Sequence, residues 1–466
     1  MITFSNLDII IISAFFLLVL VVGFIPRLKS KSNEEEFLLS GRSIGLFVFV
    51  LTNVATWYGG ILGIGEFTYQ HGLVSWLTQG LPYYIFAIIF ALLFAEKIRD
   101  SQLFTIPEKL EESYGRKVGI ISSVLIFILV SPAAYLLMIS TLLSLIFEFP
   151  LWISLIISSF FSAIYLIVNG YKSDISTDIF EFFVMFSGFI VLVFTAYSIY
   201  GGMEFLQTNL PESHLKFTGN VSITYIVVWF MIALWTFSDP GFHLRCYAAK
   251  SGKVAKYGIL ISVILWAFFD FLTTSSGLYS RALIQDMVSP LYSFPLLAEK
   301  VLGSGLKGIF YAALFATILS TLNSLLFLSG TTFGKDFGTR LFNITEPKKI
   351  IRSTRIGIVV SIIFSIVLSL YFKSVIEMWY VIGSICIPGL ILLIVGAYFP
   401  KFKVSKNIAA IEIIAASAAS IIFYFARAKF NILLEIEPMV VGLSTALGIH
   451  LFGLNSKRRF AVGNSK

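Results

Sequence analysis

The sequence predicts an all-α membrane protein of about 13 spans, and three observations carry that prediction. Of 466 residues, 57% are hydrophobic and only 13% are charged. A soluble chain would carry about 25% charged residues. Mean hydropathy is +0.90. Apolar runs of roughly 20 residues recur along the whole chain, each long enough to cross ~30 Å of hydrocarbon, whereas buried core helices give runs of about 10–14.

The spans lie near 7–26, 44–69, 73–96, 117–147, 149–168, 176–200, 222–247, 254–284, 306–334, 352–372, 374–399, 407–426 and 432–453. The run at 117–147 is overlong and predicts a tilted helix or one that extends beyond the bilayer. The first span lacks a basic n-region and a small-residue cleavage site, so it reads as a permanent helix. The expected layout is an extra helix and loop at 1–43, five spans at 44–200 and a loop at 201–221. Five further spans follow at 222–399, with two more helices and a tail at 400–466.

Basic residues set the orientation. With the N-terminus outside, most of the 34 Lys and Arg fall on one side. They cluster in RLKSK (27–31), YGRK (114–117), RCYAAKSGKVAK (245–256), EPKKIIRSTR (346–355), KFKVSK (401–406) and SKRR (456–459). That asymmetry predicts a cytoplasmic basic face in the plasma (inner) membrane, with the C-terminus inside. The net charge of +8 is therefore a topology signal. A nucleic-acid surface would gather its charge on one soluble face. Cys246 and Cys386 imply no disulfide framework. The four histidines form no metal-ligand pattern, and no organic cofactor is expected.

Two spans carry breaks. LTNVATWYGGILGIG (51–65) places four glycines, Asn53, Thr52 and Thr56 where a spanning helix should be most regular. In lipid every backbone N–H and C=O must be paired, so irregular backbone at this depth has to line a cavity or bind something. Close helix packing through Gly59 and Gly63 is the alternative. WFMIALWTFSDPGFHLR (229–245) sets Asp239, Pro240 and Gly241 deep in another span, and the proline stops or kinks that helix. The breaks are five spans apart, which is the pattern of inverted-repeat transporters with a midplane site. A third polar patch, YAALFATILSTLNSLLFLSG (311–330), puts Thr317, Ser320, Thr321 and Ser324 on one helix face. Such hydroxyls either bond back to their own helix or, with freed carbonyls, replace the water shell of Na⁺.

The chain resembles the sodium:solute symporters, a family that includes sodium-coupled sugar, proline, sialic acid and choline carriers. The resemblance is carried by EFLLSGRSIG (36–45), HLRCYAAKSGKVAKYG (243–258), TDIFEFF (177–183), ALFATILSTLNSLL (313–326) and MWYVIGSICIPGLIL (378–392). It implies a LeuT-like fold of thirteen helices with inverted five-helix repeats, an external N-terminus and Na⁺ as coupling ion. It also implies a sodium site built from the carbonyls of Leu51, Val54 and Thr317 and the hydroxyls of Ser320 and Thr321. A second sodium is implied at Asp178, Asn323 and Ser324. Asp178 with Glu181 reads equally as the capping box that starts a helix.

By the same resemblance the solute pocket falls near Asn53, Trp57, Tyr58, Tyr135, Trp235 and Asp239. Aromatic faces there would cover a sugar ring or attract a cation, and Trp235 reads equally as packing. TWYGG is similar to the TW-x-GG of choline transporters, while aspartate in SDPG departs from the family's amide. Two further intramembrane acids, Glu66 and Asp270, are functional candidates by position. Glu66, near the outer end of its span, reads equally as meeting water. Asp270, mid-span, has no partner that the sequence names and reads equally as a structural pair with a hydroxyl.

The expected activity is sodium-coupled import of a small organic solute by alternating access. Proton-driven symport through Asp178, Asp239 or Asp270 is the alternative within transport. A non-transporting solute sensor is the alternative from another class, disfavoured because the chain ends about a dozen residues after the last expected span. No Ser/His pair, HExxH or paired-carboxylate arrangement points to an enzyme. The oligomeric state is not legible.

Overall fold

The computed structural model describes residues 2–28, 33–372, 375–427, 429 and 436–463. Lys29 and Lys31 of the first basic cluster, and residues 432–435 expected to open the last span, lie outside these. Among the described residues 12 helices are long and apolar enough to cross a membrane. A bent pair, Leu46–Tyr58 with Ile61–His71, makes a thirteenth span.

The chain opens with α1 (Asn6–Phe24). The first broken span follows as α2 (Leu46–Ala55) and α3 (Ile61–His71). Next come α4 (Leu81–Leu93), α5 (Arg116–Leu129), α6 (Ala133–Phe147), α7 (Leu151–Asn169) and α8 (Tyr171–Tyr200). The second broken span is α9 (Ile223–Ile232) with α10 (Pro240–Ala248). After it run α11 (Gly252–Leu283), α12 (Leu306–Thr331), α13 (Pro347–Tyr371), α14 (Val375–Tyr398), α15 (Lys406–Arg427) and α16 (Pro438–Gly463).

The run at 117–147 is not one tilted helix. It is interrupted at Ser131-Pro132 between α5 and α6, where proline supplies no N–H for the ladder.

Burial separates two kinds of apolar helix. In α1 only 28% of the spanning window is buried, so its hydrophobic residues face lipid. In α12 the figure is 89%, which makes it the central post of the bundle. α8 packs along α12 more extensively than any other pair. Gly188 makes that approach possible, because a Cβ there would overlap Ala313. The extra helix α1 is pinned to the post by a carboxylate: Asp8 Oδ1 accepts the N–H groups of Gly305 and Gly308, each at 2.8 Å. Those are donors that a helix start leaves unpaired.

The two breaks are made differently. Residues Thr56–Tyr58 form a 3₁₀ turn, Gly59 and Gly60 follow, and the axis turns by 58°. In the second break a 3₁₀ turn over Ala233–Ser238 leads to extended Asp239, and Pro240 starts α10 as its first helical residue. Proline is preorganised for that place and has no N–H to leave unpaired.

Gly59 is held in contact with α12: a Cβ on it would overlap the Thr321 side chain and press on Tyr135, whereas Gly45 has open space. Gly59→Ala is therefore expected to cost about 1–3 kcal/mol through overpacking and Gly45→Ala far less. Thermal midpoints of the two purified variants check this.

Candidate functional site

The site begins at the backbone of the first break. The Thr56 C=O accepts the Thr321 hydroxyl of α12 at 2.5 Å. Irregular backbone at this depth needs its polar groups paired, and this hydroxyl adds a bond that fixes the distance of the break from α12. Ser320, the neighbour of Thr321, donates to Asp178 Oδ1 of α8 at 2.5 Å. One turn further along α12, Ser324 donates to Asp174 Oδ2 at 2.6 Å.

On α8 the residues Asp174, Asp178 and Glu181 recur at helical spacing, so they form one acidic stripe. All three are fully buried. Thr56 adds its hydroxyl, 3.1 Å from Asp178 Oδ2 and 2.9 Å from the Thr52 carbonyl. The hydroxyls of α12, the first break and the acidic stripe thus meet in one layer.

Into that layer reaches Arg245 from α10, also buried. Its Nη2 donates to the Thr56 hydroxyl, and lies 3.3 Å from the Thr52 carbonyl, 3.3 Å from Ser324 Oγ and 3.4 Å from Asp178 Oδ2. The stripe holds three carboxylates, and one guanidinium reaches it, at Asp178. If all ionise, two negative charges stay uncompensated, and each buried ion costs several kcal/mol. Both Glu181 oxygens and Asp174 Oδ1 also find no hydrogen-bond partner among the described residues. Such a stripe has the chemistry to take up small cations or protons.

The residues expected around the first sodium divide in two. Ser320 and Thr321 stand against the break as described, while Leu51 and Val54 sit in the last turns of regular α2, ahead of it. The Thr317 hydroxyl bonds back to the Ala313 carbonyl at 2.7 Å. In the second set, Asp178 and Ser324 converge on Thr56 and Arg245. Asn323 donates through Nδ2 to the Tyr165 hydroxyl of α7 at 2.6 Å, and its buried Oδ1 has no hydrogen-bond partner among the described residues. The capping reading of Asp178 and Glu181 is corrected: α8 starts at Tyr171, after Gly170 with φ of +63°. Asp178 is therefore two turns inside the helix. Arg245 is a second correction, because it is a core residue and not part of a basic loop.

The aromatic residues fall into clusters. Trp57 packs against Tyr83, Phe242 and Trp266, with ring centroids at 5.2, 5.4 and 4.9 Å. Tyr135 faces Trp379 at 5.8 Å. Trp379 lies against Gly60, and Trp235 against Gly383. Tyr58 turns away toward α11, donating to the Trp266 carbonyl at 2.8 Å and packing on Phe269 at 4.5 Å. Asp239 Oδ1 caps α10 by accepting the Phe242 N–H at 2.8 Å. Asn53 is buried with its amide nitrogen unpartnered. Asp270 accepts the Tyr84 hydroxyl, and Glu66 is half-buried.

Sequence reasoning missed Arg245, Asp174, Tyr83, Phe242, Trp266 and Trp379. The spacing of Asp174 four residues before Asp178 was a usable signal. The position of Arg245 six residues after Asp239 was another, since it lies within two turns of the break.

Arg245→Met is expected to destabilise the protein by about 3–5 kcal/mol, the cost of leaving a buried charge without its partner. Adding Asp178→Asn removes one of the stranded carboxylates, and the double variant should recover part of the loss. A double-mutant cycle of thermal stability reads that coupling.

The profile of the sodium:solute symporter family matches residues 37–417. A high-affinity choline transporter of Drosophila melanogaster is 27% identical over 388 residues, covering 78% of this chain and 62% of its own length. The human high affinity choline transporter is 24% identical, covering 80% and 69%. The sodium/pantothenate symporter of Escherichia coli is 25% identical, covering 69% of each chain. Among solved structures, a Na⁺-coupled sialic acid symporter in a substrate-bound outward-open state superposes with a TM-score of 0.83 at 16% identity, over 97% of this chain and 98% of that one. The nucleobase-cation-symport transporter Mhp1, closed around a hydantoin, gives 0.57 at 12% identity, over 90% and 94%. The fold is thus LeuT-like, and the match over most of its length makes this chain a member of the sodium:solute symporter family.

Proposed function

We propose that this chain is a sodium-coupled symporter that brings a small organic solute into the cell by alternating access. The observation that carries the reading is the Thr321–Thr56 bond beside the acidic stripe, where unwound backbone, hydroxyls and buried carboxylates share one layer. Na⁺ is a hard cation that takes oxygen ligands. The first ion is assigned to the carbonyls of Leu51, Val54 and Thr317 with the hydroxyls of Ser320 and Thr321. The Thr321 hydroxyl would ligate the ion through its oxygen lone pair while its proton stays on the Thr56 carbonyl, so occupancy would reinforce the contact of the break with α12.

A second ion is assigned to Asp178, Asn323 and Ser324, with Asp174 added; the Asn323 amide oxygen is buried and has no hydrogen-bond partner among the described residues. The excess of carboxylate over guanidinium favours this site. Coupling follows from differential affinity: an ion that holds the break against α12 in one state and not in the other shifts the population between them. The N-terminus is placed outside and the basic loops in the cytoplasm, on the charge asymmetry.

For the solute we propose an organic cation held near Trp57, Tyr135, Trp235 and Asp239. Aromatic faces attract desolvated cations by about 2 kcal/mol or more, and curated relatives include choline transporters. Asn53 supplies a free amide N–H₂ nearby in sequence, and Tyr58 is assigned to supporting the break rather than to the solute.

Ser320→Ala with Thr321→Ala is expected to raise the half-saturating sodium concentration by more than about tenfold, since hydrogen bonds to charged groups are worth about 1.5–3 kcal/mol each. Uptake into proteoliposomes under a sodium gradient measures it, and unchanged sodium dependence would reject the first site. For the solute, thermal shifts against quaternary amines, sugars, amino acids and carboxylates are compared in sodium and in potassium. A quaternary amine should stabilise the protein in sodium only, and Trp57→Ala should abolish that shift. Uptake that tracks pH and ignores sodium would instead support proton coupling through the acidic stripe.

A further inference from the structure

A groove on the outer face of the bundle, lined by no residue of the broken helices, has a composition that the transport reading does not use. It holds about 580 Å³ between α5 and α15, and its walls include Ile121, Ala410 and Ile414, with Lys117 as its one charged lining residue. That volume falls within the range of small-ligand sites, about 300–1,000 Å³. Both helices begin at the same end of the groove, α5 at Arg116 and α15 at Lys406. Lys117 therefore lies in the first turn of one wall and Lys406 in the first turn of the other. Residues 406, 410 and 414 are stacked four apart, so Lys406 stands directly above the apolar floor. Its aliphatic stem runs past Gly115, two residues before Lys117.

Both ammonium groups are exposed, and neither has an ion-pair partner among the described residues. Nearby acids are engaged elsewhere: Glu111 with Arg340 at 2.6 Å and Glu112 with Lys109 at 2.7 Å. Glu412, the acid on α15, turns to His450 at 2.9 Å. An apolar trough that starts under two unpaired lysines fits a molecule with a negative head and a hydrocarbon tail. It lies within the first turns of two membrane helices, at the depth where headgroup gives way to acyl chain.

We propose that the groove between α5 and α15 is a binding site for one anionic phospholipid, its phosphate between Lys117 and Lys406 and an acyl chain along Ile121, Ala410 and Ile414. Charge complementarity selects this occupant over a neutral lipid. Basic pockets between membrane helices on the positive side of a bundle hold such headgroups, at about 1 kcal/mol per lysine. A lipid seated there bridges the five-span core to the C-terminal helix pair.

Native mass spectrometry of the full chain, titrated with phosphatidylglycerol or phosphatidylcholine of matched chains, tests the site. Phosphatidylglycerol is expected to bind up to about thirtyfold more tightly at the first site, the equivalent of two lysines. Lys117→Gln with Lys406→Gln should remove that preference and leave weak, equal binding of both lipids. Ala410→Trp, which fills the trough and keeps both charges, should weaken both. Equal retention of the two lipids by the unaltered protein overturns the proposal, as does a preference that survives the lysine double variant. A dimer mass that is lost with Ala410→Trp while lipid binding persists would also overturn it, by making the groove a contact between two copies. Unchanged sodium-dependent thermal shifts in each variant show that the fold is intact.

Discussion

The interaction on which the rest depends is the hydroxyl–carbonyl bond between Thr321 and Thr56. A helix broken at mid-membrane has to find partners for its released backbone groups, and hydrocarbon offers none. Here the 3₁₀ turn at Thr56–Tyr58 is tied to a side chain on α12, the most buried helix among the described residues. That single requirement explains the bare backbone of Gly59, which lets the break come close, and the small residues that bring α8 against α12. It also explains why α12 carries so many hydroxyls at one level. A bundle without a break needs only apolar packing along that face.

Charge follows from the same geometry. Once α8 is drawn against α12, any acid on its inner face is sealed from water. The stripe of Asp174, Asp178 and Glu181 is therefore costly unless ions or protons accompany it. The protein provides one fixed cation, Arg245, and three hydroxyl donors: Thr56, Ser320 and Ser324. The remaining imbalance is the physical basis for reading this layer as a place that exchanges cations. Asp270 shows the contrasting solution: it is a buried acid whose partner is the Tyr84 hydroxyl, with no Arg245-like cation brought to it.

Much of the fold was legible in the sequence because lipid imposes strict lengths and pairing rules. The two breaks could be located from Gly59-Gly60 and Asp239-Pro240, and the hydroxyl face of α12 from its spacing. What was not legible depended on direction in three dimensions. Asn323 and Ser324 are neighbours in sequence, yet a helix turns them about 100° apart: Ser324 bonds Asp174 directly, and Asn323 bonds Tyr165. Arg245 reads as a loop charge when counted for topology, because the end of α10 cannot be placed before its break is known. Asp178 resembled a helix start because the charges nearest it lie among polar residues, although regular helix had begun at Tyr171. The interruption at Ser131-Pro132 was visible as a proline but hidden by the apolar run around it.

Arg245 gives the two breaks a mechanical relation. It stands on α10, the half-helix that the second break makes free to move, and its guanidinium ends on the first break and on α8. Any motion that carries α10 away from α8 must pull this charge out of its cage. It would leave Asp178 without its ion-pair partner and Ser324 without the guanidinium, and expose Arg245 to a new environment. On the proposed function, a cation arriving between Asp174 and Asp178 would compete for the same oxygens and offset that loss, lowering the cost of the motion. The half-helices then need no contact with each other to move in concert. A shared set of acidic oxygens, claimed by a tethered cation or by a mobile one, is sufficient to link them.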